Sequence, residues 1–327
     1  MTPAPSSPLA DLDDARAEAF RDATAAAAAS VVPLVGSGDG MAVDGIAVDA
    51  LRAALAGLAV EGRVVAGEGE KDAAPMLRPG ERFGVGGPAV DLAVDPVDGT
   101  RLAASGREGA MAVLAVTGRD GFADLGPAHY LAKTVTWLPD AAALPIERLV
   151  ARLADARGVA AEHVRVAVQD RPRNAALAAR ARVAGATVVL FEHGDIERSL
   201  RAAQPGTDLD VVTGIGGAPE GLLTAAAVRA LGAGLRSVGR RHVGAEAERL
   251  AASGRSPRTL FGLDALCPGP AWLFLSAVTT CRPGVDTVLD AARHEAGGIR
   301  VASWHVGPGR APRRTQVLVG GALSGGR

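Results

Sequence analysis

From residue 164 to residue 231 the chain alternates between short apolar runs bounded by Gly, Asp or Pro and longer stretches with helical spacing. Residues 164–168, 187–191 and 209–213 read as strands, and 174–184, 195–203 and 218–231 read as helices. This alternation predicts a largely parallel sheet covered by helices, because parallel neighbours need a long crossover and a helix supplies it. The first half reads differently, with helical spacing over 15–32 and 43–59 and then strand-length runs at 63–67, 91–95 and 110–116. The pattern changes near 139–145. We therefore expect an N-terminal α+β half over 11–145 and a C-terminal α/β half over 146–320, with flexible tails at 1–10 and 321–327. Apolar runs at 271–277, 299–305 and 315–319 close the chain, and no internal repeat is found. With 327 residues, 48% of them hydrophobic, the chain can bury a large core.

Composition narrows the partners. The formal charge of -1 gives no general pull toward nucleic acid or an anionic membrane, so any phosphate must be held by local groups. Aromatics at 3% leave no stacking platform for single-stranded nucleic acid. The Pro/Ser-rich start runs into Asp11, Asp13 and Asp14 rather than a basic region and an apolar stretch, so no secretion signal is read there. The alanines at 25–29 lie beside Arg21, Asp22 and Thr24 and fit a packed helix, not a membrane span. Cys267 and Cys281 lack metal-ligand spacing and read as ordinary core thiols in a reducing compartment, which makes the cytoplasm the expected location.

Three acidic clusters and one glycine-rich segment carry the chemistry. Asp91-Leu92-Ala93-Val94-Asp95-Pro96-Val97-Asp98-Gly99-Thr100 is an apolar strand that ends in two carboxylates, a tight turn and a hydroxyl. That turn brings Asp95, Asp98 and Thr100 together as donors suited to hard divalent cations and a phosphate. Gly36 to Gly45 is a glycine-rich turn into a helix; Asp39 reads as its N-cap, and Asp44 as a metal ligand or a solvated residue. In Gly67-Glu68-Gly69-Glu70-Lys71-Asp72, three neighbouring carboxylates repel one another unless a cation or water intervenes, though a solvated loop also bears such charges. Gly214 to Gly221 is expected to be a loop after the 209–213 strand, exposing backbone N–H groups to an anion, with Pro219 opening a helix and Glu220 within reach of a metal. It is neither a dinucleotide fingerprint nor a P-loop, because Pro219 occupies the third glycine position and no Lys-Ser/Thr follows.

Taken in order, Gly67-Glu68-Gly69-Glu70, Ala74-Pro75-Met76-Leu77, Asp95 to Arg101, Asp170-Arg171-Pro172-Arg173 and Gly214 to Gly221 resemble the class II fructose-1,6-bisphosphatases of bacteria. That family belongs to the lithium-sensitive, metal-dependent phosphatase superfamily that includes inositol monophosphatases. The resemblance runs from about residue 34 to about residue 280. It implies a layered α/β/α/β/α sandwich and removal of the 1-phosphate of fructose 1,6-bisphosphate or sedoheptulose 1,7-bisphosphate. It implies Asp44, Glu68, Asp95, Asp98 and Glu220 as ligands of two or more Mg²⁺ or Mn²⁺ ions. Thr100 would position the attacking water or a phosphate oxygen, Glu70 and Asp72 would orient that water or accept its proton, and the Asp98-Gly99-Thr100 backbone would cradle the phosphate. Tyr130, Arg171, Arg173, His193, Asp195 and Gly217 would contact the sugar phosphate, with Arg171 and Arg173 gripping a second phosphate. A homodimer or homotetramer is implied as well.

Four departures stand outside the carboxylate set: Gly40 where the family commonly has Lys, Asn174 where it has His, His193 where it has the first Asp of Asp-Gly-Asp, and Ser276-Ala277-Val278-Thr279 for Ser-Ala-Thr-Gly. They imply retained hydrolysis with an altered sugar, as in a related sugar- or inositol-phosphate phosphatase of specialised metabolism. Two rivals differ in class. A haloacid-dehalogenase-type phosphatase needs Asp-x-Asp at a strand end, whereas Asp11-Leu12-Asp13 opens a predicted helix; a non-catalytic sugar-phosphate sensor would show a broken metal set, whereas all five positions are carboxylates.

Overall fold

The computed structural model describes residues 12–67, 77–125, 130–138, 140–231, 237–241 and 262–320, with Glu248 and Ala252. Two capped helices open it. The Asp13 side chain accepts from the Arg16 amide at 2.8 Å to start α1 (Asp14–Val31), and Asp39 accepts from the Ala42 amide at 3.0 Å to start α2 (Gly40–Ala56). Asp13 of the Asp-x-Asp at 11–13 therefore caps a helix, as the sequence predicts. Buried alanines at 17, 23, 25, 27, 28 and 29 let the α1 backbone approach its neighbours closely.

The first sheet contains β1 (Glu61–Ala66), β2 (Arg82–Phe83), β3 (Ala89–Asp98), β4 (Met111–Gly118) and a short helix between the last two, α3 (Thr100–Ala104). The second contains β5 (Tyr130–Thr136), β6 (Arg165–Gln169), β7 (Thr187–Phe191), β8 (Val211–Gly217) and β9 (Ser237–Arg241), in the order β7-β6-β8-β5-β9. Interspersed are α4 (Ile146–Arg157), α5 (Ala175–Val183), α6 (Asp195–Ala202), α7 (Ala218–Leu231) and the single turn α8 (Leu263–Leu266). After them β10 (Ala271–Ala277) returns to the first sheet beside β4, a small hairpin forms from β11 (Cys281–Gly284) and β12 (Thr287–Leu289), and β13 (Arg293–Glu295), β14 (Gly298–Val306) and β15 (Arg313–Gly320) extend the first sheet.

Alternation along β3 and β4 sorts the layers. Val90, Leu92 and Val94 with Leu114 and Val116 pack under Phe20, Leu51 and Leu55 of α1 and α2. Ala93, Met111, Val113 and Ala115 face the opposite way, against Ile196 and Leu200 of α6 and Leu222 and Leu223 of α7. Those two helices also cover Leu131 and Val135 of the second sheet. The far face of that sheet is closed by Leu149, Val150 and Leu153 of α4 and Ala178 and Ala181 of α5 over Val166, Val168 and Val211. The result is an α/β/α/β/α sandwich, as the resemblance implies. Among the described residues no helix is long and apolar enough to cross a membrane, and Cys267 and Cys281 are free and buried.

The sheets are mixed rather than largely parallel. Only β1 with β3, β6 with β7 and β6 with β8 run parallel among the described pairings; β4 turns back beside β3, β10 and β14 run antiparallel in the first sheet, and β5 lies antiparallel to β8. Apolar periodicity reports burial, and a buried strand has the same signature in either direction. The sequence reading also leaves β5 and α4 unassigned. β5 hides because Lys133 takes an inward position between Leu131 and Val135.

Asp91 shows what a structural carboxylate looks like on the same strand as the site. It is 1% exposed and accepts from Arg63 Nε (3.0 Å) and Nη2 (2.7 Å), Arg119 Nη1 (2.8 Å) and the Asp120 amide (2.7 Å). Asp91→Asn keeps the shape but leaves two guanidinia short of a counter-charge; we expect a loss of about 2–4 kcal/mol in urea unfolding.

His305 is buried among rings, 6.4 Å from Trp272 and 5.7 Å from Phe274 between centroids. Burial, with Arg21, Arg313 and Arg310 nearby, holds its imidazole down to about 4. Its folded value lies below the unfolded one, so the unfolded chain binds the proton first and stability falls as pH drops from about 6.5 toward about 4. We expect His305→Phe to remove roughly 2–3 kcal/mol of that acid-side loss in unfolding midpoints measured across this range.

Candidate active site

β3 does not end as a regular strand. Asp95 lies opposite Val113 and Asp98 opposite Met111, so β3 carries one residue more than β4 between these pairs. Pro96 sits in this bulge, where its missing N–H is tolerated. In a regular strand Asp95 and Asp98 would face opposite sides; here their partners Val113 and Met111 both face the α6/α7 layer, and the two carboxylates share that face. Both are buried, at 6% and 4% exposure. Asp95 Oδ1 accepts from the Val97 amide at 3.0 Å, Gly99 turns the chain at φ 84°, and Thr100 Oγ1 donates to Val97 O at 2.9 Å.

Asp98 is tied into the middle layer. Its Oδ1 accepts from the Asp195 amide at 3.1 Å and its Oδ2 from the Ile196 amide at 2.9 Å, at the start of α6. Burial pushes its carboxyl up to about 7, with Glu220 adding to the rise and the Ile196 amide, Lys133 and Arg198 opposing it. Glu220, in the first turn of α7, folds back over Gly217: a Cβ there would lie 1.9 Å from Glu220 Oε2. Asp44 stands half-buried on α2, whose first residue Gly40 faces Thr100; a Cβ on Gly40 would sit 3.6 Å from Thr100 Cγ2. Glu68, Glu70 and Asp72 lie outside the described residues. Among the described residues no three acidic, histidine or cysteine groups stand together as a ready metal site, although Asp95, Asp98 and Glu220 supply the hard oxygen donors that a divalent cation takes.

The glycine segment is strand where a loop was expected. Gly214 to Gly217 complete β8 and pair with β5, placing Gly217 opposite Tyr130. Arg173 lies over the Tyr130 ring at 4.9 Å and donates to Ile215 O at 3.1 Å. Arg171 goes elsewhere, donating to Asp170 O and Glu192 O, both at 2.9 Å. Asn174 is buried, donates to Gln169 O at 3.1 Å and accepts from the Ile215 amide at 2.8 Å, so the amide ties the end of β6 to β8.

Two groups escaped the sequence reading. Lys133 is buried and paired with Asp195, whose other oxygen, Oδ1, has no hydrogen-bond partner among the described residues. Arg198 donates to His193 O at 3.0 Å and Gly194 O at 2.7 Å, clamping the turn before α6. The signal for Lys133 was a lysine at an inward position of a two-residue alternation; nothing local marks Arg198.

Set on a layered α/β sandwich, a strand-end pair of carboxylates beside a hydroxyl offers oxygen donors of the kind that suit a divalent cation and a phosphate. The comparison with known proteins is specific. The profile of the bacterial fructose-1,6-bisphosphatases, glpX-encoded, matches residues 15–308. The chain is 35% identical over 302 residues to fructose-1,6-bisphosphatase 2 class 2 of Escherichia coli (strain K12), covering 87% of this chain and 92% of that one. It is 39% identical over 218 residues to fructose-1,6-bisphosphatase 1 class 2 of the same strain, covering 65% of this chain and 64% of that one. The chain belongs to the class II fructose-1,6-bisphosphatase family, and is a phosphatase.

Gly217→Ala should displace Glu220 from its fold-back position. We expect phosphatase turnover to fall at least about tenfold with unchanged far-UV circular dichroism; retained turnover would show that Glu220 works from another position.

Proposed function

We propose that this protein is a Mg²⁺- or Mn²⁺-dependent sugar bisphosphatase that hydrolyses the 1-phosphate of fructose 1,6-bisphosphate, or of the related sedoheptulose 1,7-bisphosphate. The observation that supports this reading is the bulge that turns Asp95 and Asp98 to one face, beside Thr100 and near Glu220. Asp44, Glu68, Asp95, Asp98 and Glu220 would hold the ions, all through oxygen donors. When bound, such ions lower the pKa of a water and neutralise charge on the phosphoryl oxygens.

The chain's own groups do the rest. The hydrogen bonds that Asp98 accepts from the Asp195 and Ile196 amides hold its carboxylate in one orientation, so its remaining lone pairs keep a set direction. Thr100 spends its hydroxyl proton on Val97 O, which leaves its oxygen to accept from the attacking water and aim it at phosphorus. Glu70 and Asp72 are assigned the proton of that water, and the backbone of Asp98-Gly99-Thr100 the scissile phosphate. Tyr130, Arg171, Arg173, His193, Asp195 and Gly217 would contact the sugar phosphate; Gly217 pairs with Tyr130, Arg173 lies over the Tyr130 ring, and Arg171 is turned toward Glu192 O. Assembly as a homodimer or homotetramer, in the cytoplasm, belongs to the same reading.

Asp95→Asn should lower kcat by roughly 10³-fold or more while leaving the melting curve cooperative. Chelation should abolish phosphate release and added Mn²⁺ or Mg²⁺ should restore it. A variant with near-normal turnover, or hydrolysis indifferent to chelator, would overturn the metal mechanism. Phosphate release across hexose, heptulose and inositol phosphates tests the substrate: a monophosphate that outperforms every bisphosphate would replace this reading with a related sugar- or inositol-phosphate phosphatase, and no release from any of them would favour a non-catalytic sensor.

A further inference from the structure

The helix that offers its first amides to Asp98 carries a cation at an unfavourable position. Arg198 is the fourth residue of α6, near the end where the helix dipole disfavours positive charge. Its side chain is only 20% exposed, so solvation does not explain the placement either. The explanation lies in its bonds. One nitrogen, Nη1, donates to His193 O at 3.0 Å and to Gly194 O at 2.7 Å. The surroundings leave room for it: the guanidinium lies 4.8 Å from the centre of the Phe191 ring, and a Cβ on Gly194 would come within 2.8 Å of Nη1.

What this clamp fixes is the direction of two amides. Gly194 has φ 79° and ψ 71°, a left-handed conformation that glycine enters and leaves freely, and no side chain caps the helix that follows. Rotation at Gly194 would swing the Asp195 and Ile196 amides, which are the donors to Asp98 at 3.1 and 2.9 Å. Arg198 bonds the carbonyls on both residues of this hinge. The adjacent Glu197 fastens the same turn to β11, where its Oε1 accepts from the Arg282 amide at 2.5 Å.

We propose that Arg198 is a positioning residue for the reaction: by clamping the His193–Gly194 turn it holds Asp98 in the orientation that binds a divalent cation tightly. The inference rests on the metal-dependent reading, in which Asp98 is a ligand. Arg198 acts on a cation at Asp98 in two opposed ways. By charge alone a nearby guanidinium repels the cation, so removing it would strengthen binding. As a clamp it preorganises a ligand, and loss of such outer support costs about 10- to 100-fold in metal affinity. Positioning outweighs repulsion here, because the two bonds to carbonyls are charge-assisted and Glu197 Oε2, 3.9 Å away, offsets part of the charge.

Calorimetric titration of the metal-stripped, full-length protein with MnCl2 separates the two effects by sign. Arg198→Met should raise the Kd for Mn²⁺ about tenfold. Arg198→Gln should raise it about threefold, since an uncharged amide makes weaker bonds to the same carbonyls. If Arg198→Met loses its cooperative melting transition, Arg198→Gln, which keeps a donor at the turn, carries the comparison. Arg201→Met removes a charge paired with Asp208 toward the other end of α6 and should leave the Kd within about twofold. A Kd unchanged or lowered in the folded Arg198 variants overturns the assignment. Equal weakening in Arg201→Met does so too, because it would trace the effect to α6 as a whole. In either case a wild type that binds Mn²⁺ leaves the metal-dependent reading standing, whereas a wild type that binds none overturns that reading and the clamp with it.

Discussion

Between Asp95 and Asp98, β3 holds one residue more than β4 beside it, and the site depends on that mismatch. Side chains three apart on a strand point to opposite faces. The extra residue resets the alternation, so both carboxylates turn toward the layer that carries α6 and α7. Only there can Asp98 meet the amides that open α6, and only there does Glu220 come near it. Pro96 has no N–H to lose at the bulge.

The hydrogen bonds to Asp98 also explain why distant stretches of chain form one site. Asp98 belongs to the first sheet, while Asp195 and Ile196 start a helix packed between the two sheets. Lys133, from the second sheet, reaches the same place through its pair with Asp195. A helix layer shared by two sheets therefore brings residues nearly a hundred positions apart in sequence into contact. Asp91, on the same strand, shows the contrast: its charge is matched by Arg63 and Arg119, and it serves the fold.

Much of the architecture is legible in the sequence. α1, α2, β3, α6, α7 and β10 lie within a few positions of the runs that predict them, because each is a dense run of small or apolar residues, or an amphipathic one, bounded by polar or turn residues. Strand direction is not legible, since β10 and β14 bury the same kind of residues that a parallel strand would. β5 is obscured by its inward Lys133, and the glycines at 214–217 imitate a loop although their backbone pairs fully with β5.

For the site, the residue types Asp95, Asp98 and Thr100 in one short turn are enough to mark hard-cation and phosphate chemistry, because few structural roles need two carboxylates and a hydroxyl together. The family's motifs extend that reading across the chain. What the tertiary structure decided is which groups meet. Arg171 and Arg173, two residues apart, serve different surroundings: Arg173 lies over Tyr130, while Arg171 joins Arg101, Arg107 and His193 around a cleft. Asn174 holds backbone together instead of facing a ligand. Local spacing constrains the directions of neighbouring side chains, but encounters between β3, α6 and the strand ends of the second sheet come from how layers stack, and that is set by the whole core.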